Sequence, residues 1–150
     1  KVVIRYPGTW QVTDTAANAP VSIEGDGVQL RLDTVADSAI DSTDAAAAYV
    51  EGLRPGITVL STTEIENYGI PGYQVAYTIG TPDGATQSGL VTLLVTDGGV
   101  YSANALLTNV ADTDLSAVDP AVAQSNPTIT NVLSMMNTFS LLPDLQVAAQ

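Results

Sequence analysis

The densest group of side chains able to do chemistry is Asp112-Thr113-Asp114, with Asp119 a little further on. Carboxylate oxygens on a loop suit a hard cation such as Ca²⁺, so Asp112, Asp114 and Asp119 are the candidate metal ligands. The stretch lacks the Asp-x-Asp-x-Asp-Gly frame and the closing bidentate Glu of a calcium loop. Asp119-Pro120 also reads as a helix cap followed by a first-turn proline, and a solvated loop with a cap is the favoured reading. Glu64 and Glu66 lie two apart in strand-like sequence, which puts their side chains on one face at about 7 Å. Glycosidase carboxylates stand ~5–9.5 Å apart but flank a cleft from separate elements. A solvent-facing sheet edge is therefore expected for this pair. Asp37, Asp41 and Asp44 surround a helix start, where capping and the macrodipole favour acids.

Nothing in the chain complements these acids for catalysis. There is no histidine and no cysteine, and the only basic groups are Lys1, Arg5, Arg31 and Arg54. Serines and threonines are plentiful, but none has an imidazole to activate it, and Lys1 is terminal. No glycine-rich phosphate cradle of the Gly-x-x-x-x-Gly-Lys or Gly-x-Gly-x-x-Gly type occurs. A non-catalytic protein without a cofactor is expected.

Sixteen carboxylates against four cations give a net charge of −12, spread along the chain. That surface repels phosphate backbones and anionic headgroups, so neither nucleic acid nor direct adsorption to a membrane is expected. It suits a basic protein patch, a divalent cation or plain solubility.

The elements that must carry these groups follow from hydrophobic period and turn chemistry. With 150 residues, 45% of them hydrophobic, the chain is a single globular domain. The reading places it over residues 1–142, with 143–150 as a frayed tail. Val2-Val3-Ile4-Arg5-Tyr6 is a first strand, turned by Pro7-Gly8 into Thr9-Trp10-Gln11-Val12. A polar loop, 13–19, ends at Pro20. Residues 21–24 and 28–32 alternate apolar and polar about Gly25-Asp26-Gly27, which is hairpin chemistry. A helix capped by Asp41 or Ser42 carries Ala46, Tyr49, Val50 and Leu53 at helical spacing and stops at Pro55-Gly56. Four strands follow at about 58–66, 73–79, 88–96 and 100–107, joined as antiparallel hairpins by turns such as Pro82-Asp83-Gly84 and Asp97-Gly98-Gly99. A polar connection, 112–119, leads to a last helix over 127–136 that buries Ile129, Val132, Leu133 and Met136. Trp10, Tyr49, Leu53, Val132 and Met136 are the expected core anchors, and Trp10 and Tyr6 read as core rather than ligand platforms. Strands, helix, strands and helix in this order define an α+β fold: a central antiparallel β-sheet of five to seven strands packed between α-helices.

This layout resembles the PsbP-like superfamily, whose members include an extrinsic subunit of photosystem II and bacterial lipoproteins. The resemblance rests on Tyr6-Pro7-Gly8-Thr9-Trp10 on a first hairpin, Tyr49 and Leu53 on the first helix, Gly69-Ile70-Pro71-Gly72-Tyr73 as a Gly-x-x-aromatic step, and Asn137-Thr138-Phe139 at the end of the last helix. It runs from Val2 to Leu141 and implies an α/β/α sandwich. The chain departs from the photosystem members in lacking histidines for metal and a lysine-rich docking surface.

Taken with an acidic, chemically inert surface, the resemblance implies an exported accessory or scaffold subunit that binds another protein, such as an extrinsic subunit of a membrane-bound photosynthetic or respiratory complex. The alternative is a small-ligand-binding or sensor lipoprotein domain with a pocket between helix and sheet. An extracytoplasmic setting is expected, periplasmic or at the cell surface. The chain enters strand-like sequence directly at Lys1, which points to a removed signal peptide, lipid-anchor segment or tag, or to a disordered upstream part. No apolar run reaches the ~18–20 residues of a membrane span. For a protein partner the candidate contacts are Tyr68, Ile70 and Pro71 on a rigid Pro/Gly turn, and Asp112 and Asp114 on the later connection. Ile70 folded back onto its own sheet is an equally open reading.

Overall fold

The computed structural model describes residues 2–5, 8–14, 21–35, 40–97, 99–111 and 113–141. In order these form β1 (Val2–Val3), β2 (Gln11–Asp14), β3 (Val21–Gly25), β4 (Val28–Val35), α1 (Thr43–Glu51), β5 (Ile57–Asn67), β6 (Ile70–Gly80), β7 (Thr86–Thr96), β8 (Gly99–Leu107), α2 (Pro120–Ser125), α3 (Pro127–Thr138) and β9 (Ser140–Leu141). Tyr6, Pro7, Asp37, Gly98, Asp112, the 15–20 stretch and the tail from 142 lie outside the described residues.

Turn chemistry sets most of the neighbours. Asp26 and Gly27 both take positive φ, at 50° and 79°, which is the two-residue turn that matches the twist of paired strands. It joins β3 to β4 in register, Gly25 opposite Val28. Hairpins of the same antiparallel kind link β5, β6, β7 and β8. The resulting seven-stranded sheet has the order β2-β3-β4-β8-β7-β6-β5, antiparallel throughout. From β4 the chain crosses one face through α1 to the far edge at β5. It then returns, hairpin by hairpin, until β8 pairs with β4 over its whole length.

Burial follows the strand period on both faces. Leu90 and Leu94 of β7 point to one side, together with Leu30, Ala103 and Leu107, and are covered by Ile129, Val132, Met135 and Met136 of α3. Val91 and Leu93 point to the other, with Val75, Tyr77 and Leu106, beneath Ala46 and Val50 of α1. Strand β7 is thus buried on both faces, which explains its almost continuous apolar run. The sheet between helical layers is the expected α+β sandwich.

Three details differ from the sequence expectation. Among the described residues β1 does not pair with β2: β1 pairs with β9 at the other end of the chain, Val2 opposite Leu141, and β2 pairs with β3. A two-residue strand carries no information about its partner, so the pairing was set by where α3 ends. The first helix stops at Glu51, with Gly52 capping back to Ala48 and Val50, rather than at Pro55-Gly56. Leu53 therefore falls outside the helical stripe and is 37% exposed instead of buried, while Tyr49 is half-buried. A short third helix, α2, begins at the Asp119 cap.

The local devices otherwise act as their residues dictate. Ser42 caps α1, its hydroxyl accepting from the Ala45 N–H at 3.1 Å. Asn126 caps α3 ahead of Pro127, accepting from Thr128 N–H. Trp10 is 4% exposed; its ring covers Gly25, where any Cβ would overlap the indole. The indole N–H donates to the Asp26 carboxylate at 2.7 Å, tying β2 to the β3–β4 turn. Trp10→Phe keeps most of the buried ring and removes this bond. It should lower stability by about 1.5 kcal/mol, the low end for bonds to charged groups because Asp26 keeps access to water. Urea unfolding checks this, and an unchanged midpoint would mean that the bond contributes nothing.

Candidate functional site

Asp114 and Asp119, two of the acids singled out in the sequence, each hold local hydrogen-bond donors. Asp119 is spent on capping α2, accepting from Ala121 N–H at 2.8 Å. The Asp114 carboxylate turns onto β5, where the same oxygen accepts from the Ser61 hydroxyl at 3.1 Å, the Ser116 N–H at 3.0 Å and the Ser116 hydroxyl at 2.6 Å. It ties the connection after β8 to the opposite half of the sheet. Asp112 lies outside the described residues. Among the described residues no three carboxylates gather where a metal ion would sit. Glu64 and Glu66 are exposed on β5, the edge strand, opposite Tyr73 and Pro71. Asp44 lies in the first turn of α1, and Asp41 is exposed just before it.

The Tyr68-to-Gly72 turn divides into an inward and an outward part. Ile70 is half-buried and packs against the α3-side core. Asn67 anchors the base, its amide donating to the carbonyls of Met136 at 2.9 Å and Phe139 at 3.0 Å. Tyr68 does the opposite. It is 73% exposed and has φ of 53°. Left-handed backbone is unusual for a bulky residue, and a two-residue turn of this kind prefers Asn or Asp ahead of its Gly. Pro71 and Glu66 are exposed beside it. The two candidate contact loops do not converge: the turn lies at the end of the sheet where Gly72 opposes Leu94, whereas the connection leaves β8 at Leu107, opposite Ser88.

Sequence reasoning missed a groove on the α1 face. Helix α1 covers β5 and β6, and beyond its C-terminal end the same face of β3, β4 and β8 forms the floor of two adjoining cavities of about 120 and 170 Å³. Arg31, Leu53, Arg54 and Asn104 line both. The Tyr77 hydroxyl donates to Asn104 Oδ1 at 2.7 Å, and the Tyr49 hydroxyl hydrogen-bonds Ser102. Burial pushes the Tyr77 phenol up to about 12, against the Asn104 hydrogen bond and the Arg54 charge, so it is a neutral donor at ordinary pH. Burial also raises Tyr49, opposed by the Ser102 bond, assisted by Asp33 and opposed by Arg31. The alternation of Gln29, Arg31 and Asp33 along β4 was the only sequence signal that this face is polar. The approach of Arg54 depends on the crossover.

This architecture, an antiparallel sheet with a crossover helix on one face and a C-terminal helix on the other, is the PsbP-like fold. The chain superposes on cyanobacterial PsbP (CyanoP) from Synechocystis with a TM-score of 0.61 at 13% identity, covering 94% of this chain and 86% of that one. It is similar to LpqN of Mycobacterium tuberculosis, a protein involved in cell envelope biogenesis, with a TM-score of 0.55 at 13% identity over 95% and 83% of the two chains. It is also similar to PA94 of Pseudomonas aeruginosa, a protein of unknown function, with a TM-score of 0.50 at 13% identity over 95% and 84%. No protein-family model and no curated protein sequence matches the chain. At this identity the likeness is one of fold. Among the described residues no helix is long and apolar enough to cross a membrane.

Proposed function

We propose that this domain is a non-catalytic accessory module, working outside the cytoplasm, that binds another protein through the tip of the β5–β6 hairpin. The observation that carries this is Tyr68: a bulky aromatic held in left-handed backbone and left 73% exposed. A sequence optimised for folding alone would place Asn there. Tyrosine is among the residues that dominate binding energy when buried by a partner, and a hairpin already rigid in the free protein loses little entropy on docking. Glu64 and Glu66 lie along the same strand beside the tip, so the partner surface is an apolar slot with a basic rim. The envelope role of LpqN supports an extracytoplasmic setting, and the sequence resemblance to extrinsic PsbP-like subunits supports a place beside a membrane-bound assembly.

Tyr68→Asn tests the reading because stability and binding move in opposite directions. Stability should rise by about 0.5–1 kcal/mol as backbone strain is relieved, while association weakens by about 2 kcal/mol or more, the loss of an anchor residue. The measurement is co-migration of the tagged domain with a larger complex in mild-detergent extracts of its native membranes, beside thermal unfolding of the purified domain. A wild-type domain that migrates alone, or a variant that co-migrates as well as wild type, would sink the proposal.

A further inference from the structure

The groove on the α1 face has the makings of a second, chemically distinct site. Two of the four basic residues of a chain with net charge −12 line it. Their circumstances differ. Arg31 is partly compensated by Asp33 at 3.9 Å. Arg54 is exposed and has no carboxylate within ion-pair distance among the described residues. Asn104 is oriented by Tyr77: with Oδ1 accepting the phenol proton, the amide NH₂ is left to face the groove, and among the described residues no buried side-chain nitrogen or oxygen lacks a partner. Beside these donors the wall is apolar, formed by Leu53, Ile57, Ile79 and Leu106.

We propose that this groove binds a small organic monocarboxylate, its anion held by Arg54 and the Asn104 amide and its apolar body laid against Leu53, Ile57, Ile79 and Leu106. Three features fix the class. Guanidinium and amide N–H groups are donors only, so they select an acceptor, and Arg54 selects one that is charged. Glu24 and Asp33 line the groove on the Arg31 side, so a dianion such as inorganic phosphate meets more repulsion than a single carboxylate does. Each cavity, at about 120 and 170 Å³, is below the roughly 300 Å³ at which sites for drug-sized ligands begin, which limits the occupant to a few carbons. The site is independent of the hairpin tip.

Amide-detected NMR titration of the whole chain with hexanoate provides the test, with hexanamide and inorganic phosphate as comparison probes. Hexanoate should give saturable shifts at residues 49–57 and 102–106, with a Kd of about millimolar for so small a ligand. Arg54→Gln should weaken it about tenfold or more, and hexanamide should bind about tenfold less tightly than hexanoate, while Arg5→Gln leaves binding unchanged. Arg54 makes no hydrogen bond or ion pair within the described structure, so its replacement leaves the fold intact, and Leu53→Asp at the exposed rim should abolish hexanoate binding by a separate route. The proposal is overturned by equal binding of hexanoate and hexanamide, by tighter binding of phosphate, by an undiminished affinity in Arg54→Gln, or by no saturable shift with hexanoate.

Discussion

Phe139→Ala should lower the stability of the domain by about 3–5 kcal/mol, the range for emptying an aromatic site in a core. Phe139 is the single phenylalanine of the chain and is fully buried. It sits at the residue that ends α3, its N–H donating to the Met136 carbonyl and its own carbonyl accepting from Asn67. The ring joins the α3-side core at the point where the chain leaves the helix to enter β9 and pair with β1. The core it joins packs α3 onto a hydrogen-bonded sheet whose backbone resists collapse into the space, so the cavity term adds to the transfer term. For a domain of this size each kcal/mol moves the midpoint by ~2–4 °C, so a fall of roughly 6–20 °C is expected. Urea unfolding gives the same answer through the midpoint, with the slope checked for constancy. A loss below about 1 kcal/mol would mean that the helix end and β9 contribute little to the folded state.

Gly72→Ala should cost about 3 kcal/mol, the upper end for forcing atoms into a packed core. Gly72 is buried in β6 between Ile65 of β5 and Leu94 of β7. A Cβ there would overlap the carbonyl oxygen of Leu93 and come within 3.2 Å of the Leu94 Cα. Both obstacles are backbone atoms of β7, a strand paired on both sides, so neither can swing away as a side chain would. Gly80, in the same strand, is the control: a Cβ on it meets nothing within 4 Å, and Gly80→Ala should change stability by less than about 0.5 kcal/mol. Equal effects at the two positions would show that the cost lies in strand propensity and not in the approach of β6 to β7.

Local chemistry alone determined much of this protein. Period-two runs placed β3 and β4, apolar stretches between turn signals placed β5 to β8, and positive-φ or proline turns joined the hairpins, because a strand's face and a turn's handedness depend on residues a few positions apart. Ser42 and Pro127 marked the helix starts for the same reason. The absence of histidine and cysteine, and the charge of −12, are properties of composition and needed no fold. Tertiary structure decided the rest. It paired β1 with β9, because a two-residue strand takes whatever edge the folded chain brings to it. It turned Asp114 onto Ser61 and spent Asp119 on a cap, because a carboxylate goes to the nearest unmet donors and those are set by packing. It sent Ile70 inward and left Tyr68 outside within one turn. Arg31, Arg54 and Asn104 share a groove only because the crossover through α1 sets the end of that helix beside β4 and β8. Contacts between residues far apart in the chain depend on how whole elements pack, and no local pattern of side chains encodes that.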